Sequence, residues 1–284
     1  MITLENFQPW LDIDAINDVM KAACVEAAKT PRALYLFMQR YVCYGRTFSS
    51  SVPTLAGTIS SSHLLQDPTC SVPMHAGRSM DVAAKVLAAS IEEFTDPRTG
   101  VSHGTLSYAL LDKLAEYANL SQAEINTIYQ SETWLSDIIS YVKTAYKAES
   151  DSLESLVSAI GFHVATETVG DNEFGIINNV LFSQHRNNSF GRFIRNSKVS
   201  FQQGTVSPWY WIVIHGTSDT KGVEVKHSAE AFAALNYVVR YSNVSEQQII
   251  EWAGQGFAEF AYIQTKFFQQ VQQELRSLET ALAV

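Results

Sequence analysis

The stretch Trp209-Tyr-Trp-Ile-Val-Ile-His215-Gly-Thr-Ser-Asp219-Thr-Lys-Gly-Val-Glu224-Val-Lys-His227 sets two histidines and two carboxylates between apolar runs. An aromatic run enters it and the run from Ala229 to Val239 leaves it. A packing core has no use for that grouping. Metal binding and proton transfer do, because neutral imidazole and carboxylate are natural ligands for iron, manganese or zinc. His215 and Asp219 are four apart, and Glu224 and His227 three apart, so in a helix each pair shares a face. Gly216 and Gly222 each disfavour helix by about 1 kcal/mol relative to alanine, which predicts a kink or short loop between them. Asp219 then either ligates or caps the second helix.

Outward from this stretch, helical periodicity dominates and strand-like alternation is nearly absent. Helices are expected over Asp12–Lys29, from Pro31 to a weakening at Ser49–Pro53, over Arg78–Phe94 and over Ser102–Ala118. Ser121-Gln-Ala-Glu124 is a capping box opening a helix towards Tyr146. Further helices are expected over Asp151–Val169, Asn172–Ser183 and from Ser245 onwards. The segments Ser60–Gly77 and His185–Pro208 read as loops. Without a linker, a repeat or a low-complexity tract, the pattern predicts a single all-α domain of roughly eight to nine helices over residues 1–284.

Composition narrows the function classes. The chain is 46% hydrophobic and 17% charged, an ordinary globular balance. A net charge of −9 argues against nucleic acid as a partner. No apolar run reaches eighteen residues and no basic-then-apolar start is present, so neither a membrane span nor a signal peptide is expected. Cys24, Cys43 and Cys70 lack metal-finger spacing and fit free thiols in a reducing, cytoplasmic setting.

Two further polar clusters interrupt the apolar pattern. In Ile91-Glu92-Glu93-Phe94-Thr95-Asp96-Pro97-Arg98-Thr99-Gly100-Val101-Ser102-His103, Glu93 and His103 flank a turn that lets them converge. In Ala159-Ile-Gly-Phe-His163-Val-Ala-Thr-Glu167-Thr-Val-Gly170, the apolar surroundings make the Glu167 carboxylate costly to bury unless it is paired or bound to a cation. His163 shares its face, and a His–Glu hydrogen bond is the simpler role for that histidine.

These three clusters, in this order on an all-α chain, resemble the haem-oxygenase-like dimetal oxidase superfamily. That group includes CADD-like proteins, related to the chlamydial protein associating with death domains, and shares its scaffold with TenA-like, thiaminase-type enzymes. The resemblance spans about residues 30 to 240. It implies metal ligation by Glu93, His103, Glu167, His215 and His227, with Asp219 or Glu224 supplying a carboxylate, and a further carboxylate from upstream, where Asp67 and Asp81 lie with His63 and His75.

It also implies a non-haem iron centre, one ion or two, with manganese as the substitute, and an oxidase or oxygenase acting with dioxygen on a small organic substrate. Phe162, Trp209, Tyr210 and Trp211 are the expected pocket wall, and Tyr41 or Tyr44 a radical or sacrificial tyrosine. A homodimer fits a helical bundle of this kind. Two other classes compete: a metal-free enzyme on the same scaffold led by Cys43, and a non-catalytic interaction protein.

Overall fold

The residues Ala33–Val42 are buried one after another, on every side of a helix rather than along one stripe. A helix that is buried all round belongs at the centre of a bundle. The computed structural model describes residues 1–88, 90–130, 132–216 and 223–282 and puts two such helices there. The first is α2 (Pro31–Ser61), which follows α1 (Ile13–Ala27). The second is α8 (Leu153–Ile177), with Leu156, Val157, Ile160, Phe162, Val164, Ala165 and Val169 all buried.

Between them run α3 (Pro73–Ala76), α4 (Ser79–Ala88), a 3₁₀ turn at Ile91–Phe94, α5 (His103–Tyr117), α6 (Gln122–Tyr129) and α7 (Thr133–Ala145). After α8 the chain passes through a π-helical turn, Asn178–Ser183, into α9 (Ser189–Asn196). A two-residue antiparallel pairing follows, β1 (Val199–Ser200) with β2 (Thr205–Val206), in the register Val199↔Val206. Then come α10 (Tyr210–His215), α11 (Val223–Tyr241) and α12 (Glu246–Leu282). The architecture is all-α, with one contiguous hydrophobic core. No helix among the described residues is long and apolar enough to cross a membrane.

Several expected boundaries move. α2 continues straight through Ser49–Pro53. Val52, Leu55, Ala56 and Ile59 are buried beyond the proline, and the Ser51 hydroxyl donates to the Thr47 carbonyl at 2.7 Å. Burial of that last apolar stretch outweighs the lost backbone bond. The helix expected to reach Phe94 ends at Ala88, and Glu93 stands on the 3₁₀ turn instead. One helix expected from Ser121 is two, and two expected between Asp151 and Ser183 are one. The expected loop His185–Pro208 contains α9 and the small hairpin.

α8 packs most extensively on α12, and two glycines set the distance. A Cβ on Gly256 would lie 2.0 Å from the Ser158 carbonyl oxygen, and one on Gly161 would lie 2.2 Å from that of Ala253. No side chain fits there, so the two backbones meet directly. α2 is tied to α12 by the buried Arg40, whose Nη2 and Nε donate to Glu274 at 2.6 and 3.1 Å.

Candidate metal centre

Glu93 reaches inward from the 3₁₀ turn, and the chain between it and His103 is braced by Asp96. Asp96 Oδ1 accepts from the Thr99 backbone and hydroxyl, both at 2.7 Å. Its Oδ2 accepts from the Tyr210 hydroxyl at 3.1 Å, which fastens this loop to α10. Asp-x-x-Thr is a local turn signature that already stands in the quoted sequence. His103 opens α5, capped by Ser102, and His215 closes α10. Gly216 follows at a position where a Cβ would lie 2.6 Å from the Phe174 backbone, so α10 can end hard against α8.

Three donor atoms meet at this point. Glu93 Oε1 is 2.8 Å from His103 Nδ1 and 2.9 Å from His215 Nε2, and the two ring nitrogens are 3.0 Å apart. His215 Nδ1 lies 2.7 Å from the Trp211 carbonyl oxygen, which can only accept, so this nitrogen carries a proton. A neutral His215 therefore turns the bare lone pair of Nε2 towards a carboxylate oxygen. That contact is repulsive unless a proton or a cation adds positive charge between them. Donors about 2.1 Å from one ion and at right angles to each other lie about 3.0 Å apart, whereas tetrahedral ligands lie about 3.4 Å apart. The observed triangle has the spacing of an octahedral face. When a proton stands between His215 Nε2 and Glu93, hydrogen bonds from His103 and His215 outweigh the burial that works against the charge on Glu93 and hold its carboxyl well below the usual range. The donor set, buried and anionic, fits a divalent ion.

Beside this triangle stand Glu167 on α8 and His227 on α11. His227 Nδ1 is 3.4 Å from Glu167 Oε2, and its Nε2 is 3.9 Å from Glu92 Oε2. His163 Nδ1 lies 3.5 Å from Glu167 Oε1 and 3.3 Å from the Tyr146 hydroxyl. Burial, with the neighbouring His227, lowers the His163 pKa to about 4, so that ring is neutral. Burial pushes the Glu167 carboxyl up, against His227, which favours its charge. Of the predicted ligands the structure thus brings together Glu93, His103, Glu167, His215 and His227. Asp219 and the Glu224 side chain lie outside the described residues. Asp67 instead accepts from Thr69 and pairs with Arg78, His63 is exposed, and neither joins the cluster.

A cavity of about 100 Å³ opens on all five of these residues. Its aromatic wall is Tyr41, Tyr44, Phe48, Phe174, Trp211 and Phe260. Phe174 stacks on the His215 ring with centroids 4.3 Å apart. Of the four expected wall residues only Trp211 takes part. Trp209 turns away to donate to Asn178, Tyr210 serves Asp96, and Phe162 packs in the core against Phe260. Cys43 lies outside the lining, accepts from Gln39, and has its thiol pushed up by burial, which disfavours a nucleophilic thiolate. Among the lining residues that went unnoticed in the sequence are Phe174, Glu173 and Gln264. Glu173 follows Thr166 and Gly170 at helical spacing on α8, a signal that could have found it.

No protein-family model matches the chain, and no curated protein matches it. Two crystal structures of a CADD-like protein of unknown function from Nostoc punctiforme are similar to it. One, at 14% identity and a TM-score of 0.47, covers 96% of this chain and 85% of that one. The other, at 14% identity and a TM-score of 0.45, covers 94% and 84%. That protein's function is unknown, and the likeness brings no chemistry to the site.

Proposed function

We propose that the protein is an oxidoreductase in which Glu93, His103 and His215 hold iron(II), Glu167 and His227 hold a second ion, and dioxygen is turned on a small organic substrate. The observation that carries this reading is the triangle of donor atoms 2.8 to 3.0 Å apart around His215, whose tautomer is fixed by Trp211. Two histidines and one carboxylate on one octahedral face suit non-haem iron(II), and manganese(II) takes the same donors. The metal would supply the one-electron chemistry that dioxygen needs to react with a closed-shell organic molecule.

The chain's own residues do the rest. The Trp211 carbonyl and the Phe174 stack fix the His215 ring, so its Nε2 stays aimed at the site. Glu93 stays ionised and neutralises positive charge. Glu167, whose carboxyl burial pushes up, would give up its proton when it takes the second ion. Phe48, Phe174, Trp211 and Phe260 keep bulk water from the interior. Tyr41 packs edge-on to Phe174 and against Trp211, and in this reading it would be the electron-donating phenol. Tyr44 donates its O–H to the Gln264 amide oxygen, a weak base that leaves the phenol protonated.

The test is metal analysis and oxygen uptake of protein made with iron supplementation. Bound iron and oxygen consumption are expected in the wild type, and both are lost in His103→Ala and His215→Ala. Undiminished metal in both variants, or zinc with no oxygen uptake, would overturn the reading.

A further inference from the structure

Charge is unevenly placed along the chain. Between Glu173 and Asp219 there is no Asp or Glu, while Arg186, Arg192, Arg195 and Lys198 all fall there. The net charge of −9 is therefore carried elsewhere. All four cations are exposed, and none has an ion-pair partner among the described residues. Folding gathers them. Gly191 lets the turn at residues 185–188 lie directly on α9, since a Cβ there would meet the Arg186 carbonyl oxygen at 2.4 Å. Arg195 Nη1 donates to that same carbonyl, and Arg192 Nη1 donates to the Asn187 carbonyl at 2.7 Å. Each guanidinium has five N–H donors, so one such bond leaves the others for a partner. Like charges gathered on one turn repel, and an anionic partner relieves that repulsion.

This face is fastened to both helices that bear the histidines of the triangle. At the far end of α5 the Tyr117 hydroxyl lies 2.9 Å from Ser189 Oγ, and its ring is 5.3 Å from that of Phe190. At the start of α10 Trp209 packs on Phe190 with centroids 5.7 Å apart, and Trp211 stands 6.0 Å from the His215 ring. From Trp209 to His215 the helix rises about 9 Å. Nucleic acid would meet the negative charge of the rest of the chain. A membrane would find Phe190 and Ile194 already buried, with no apolar face left to insert. An acidic protein fits the patch, and iron that has passed an electron to dioxygen needs one returned.

We propose that the α9 face docks a small acidic electron-carrier protein, of iron–sulphur or flavin type, which gives up one electron as iron(III) returns to iron(II). The purpose rests on the iron reading; the docking does not. Calorimetric titration of the purified protein, chelator-treated and iron-loaded, with a plant-type [2Fe–2S] ferredoxin tests it. Both forms should bind at low ionic strength, about tenfold more weakly at about 0.3 M salt. Arg186→Glu combined with Lys198→Glu changes two side chains for which the structure shows no hydrogen bond among the described residues. The double variant should melt as the wild type does and bind about tenfold more weakly. It should also reoxidise reduced ferredoxin about tenfold more slowly when iron-loaded. No binding, binding indifferent to salt or to the double substitution, no reoxidation by iron-loaded protein, or tighter binding of duplex DNA or phosphatidylserine vesicles would overturn the proposal. Should the variant fail to fold, the wild-type salt dependence and the ranking against DNA and vesicles decide. Docking by a protein that takes up neither iron nor oxygen would overturn the iron reading alone.

Discussion

Glu93 and Glu167 are both largely buried carboxylates beside imidazoles, yet burial loses at one and wins at the other. At Glu93 a single oxygen receives two ring nitrogens at 2.8 and 2.9 Å, and the carboxyl is held down. At Glu167 the nearest ring nitrogens are 3.4 and 3.5 Å away, too far for strong charge-assisted bonds, and the carboxyl is pushed up. A few tenths of an ångström thus decide the sign. The reason is the scaffold: Glu93 sits on a short turn that can settle onto its partners, whereas Glu167 is fixed on α8 by packing along its whole length.

The largest effect that separates the two halves should come from Gly256→Ala. Its Cβ would meet the Ser158 carbonyl oxygen at 2.0 Å and the Phe162 nitrogen at 2.4 Å, so α8 or α12 must move. A loss on the order of 3 kcal/mol is expected in thermal melts. Metal titration should show the second equivalent weakened before the first. Equal weakening of both would erase the contrast.

Glu93→Gln comes next, in chelator-treated protein. A carboxyl held below its ordinary value contributes stability that is present above that value and is lost as pH falls below it. The variant should lose about 2 kcal/mol at neutral pH, and melts recorded across pH should show a flatter acid limb.

The smallest effect has the opposite sign. A carboxyl pushed up by burial contributes stability at low pH that is lost as pH rises through its raised value. Glu167→Gln removes the buried charge and should stabilise the chelator-treated protein at neutral pH by about 1 kcal/mol while weakening metal uptake. Destabilisation there would mean that Glu167 is held by bonds as good as those at Glu93.

Much of this contrast was legible in the residues. Glu93 and His103 lie ten apart across a turn marked by Asp96-Pro-Arg-Thr-Gly100, so their meeting follows from local chemistry. The boundaries of α1 and the Ser121–Glu124 capping box are likewise local, and the structure keeps both. Pro53 misled because the force that carries α2 past it is the burial of Leu55 and Ile59 against distant helices. The wall of the cavity was illegible for the same reason. Which aromatics face inward depends on how α2, α8 and α12 are rotated against one another, and no window of sequence records that. Gln264 is one polar residue on a 37-residue helix, and only its meeting with Tyr44 and Glu173 singles it out.

The 3₁₀ turn at Ile91–Phe94 has a mechanical consequence. With three residues per turn, neighbouring side chains point about 120° apart. Glu93 therefore faces His103 and His215, while Glu92 faces α11, where it accepts from Lys226 at 3.1 Å and lies 3.9 Å from His227. Two adjacent residues act as the arms of a rocker. Any tilt that draws Glu93 towards its imidazoles displaces Glu92 relative to His227, and the converse holds equally. If the two halves take ions as proposed, filling one would be communicated to the other through a single turn of backbone.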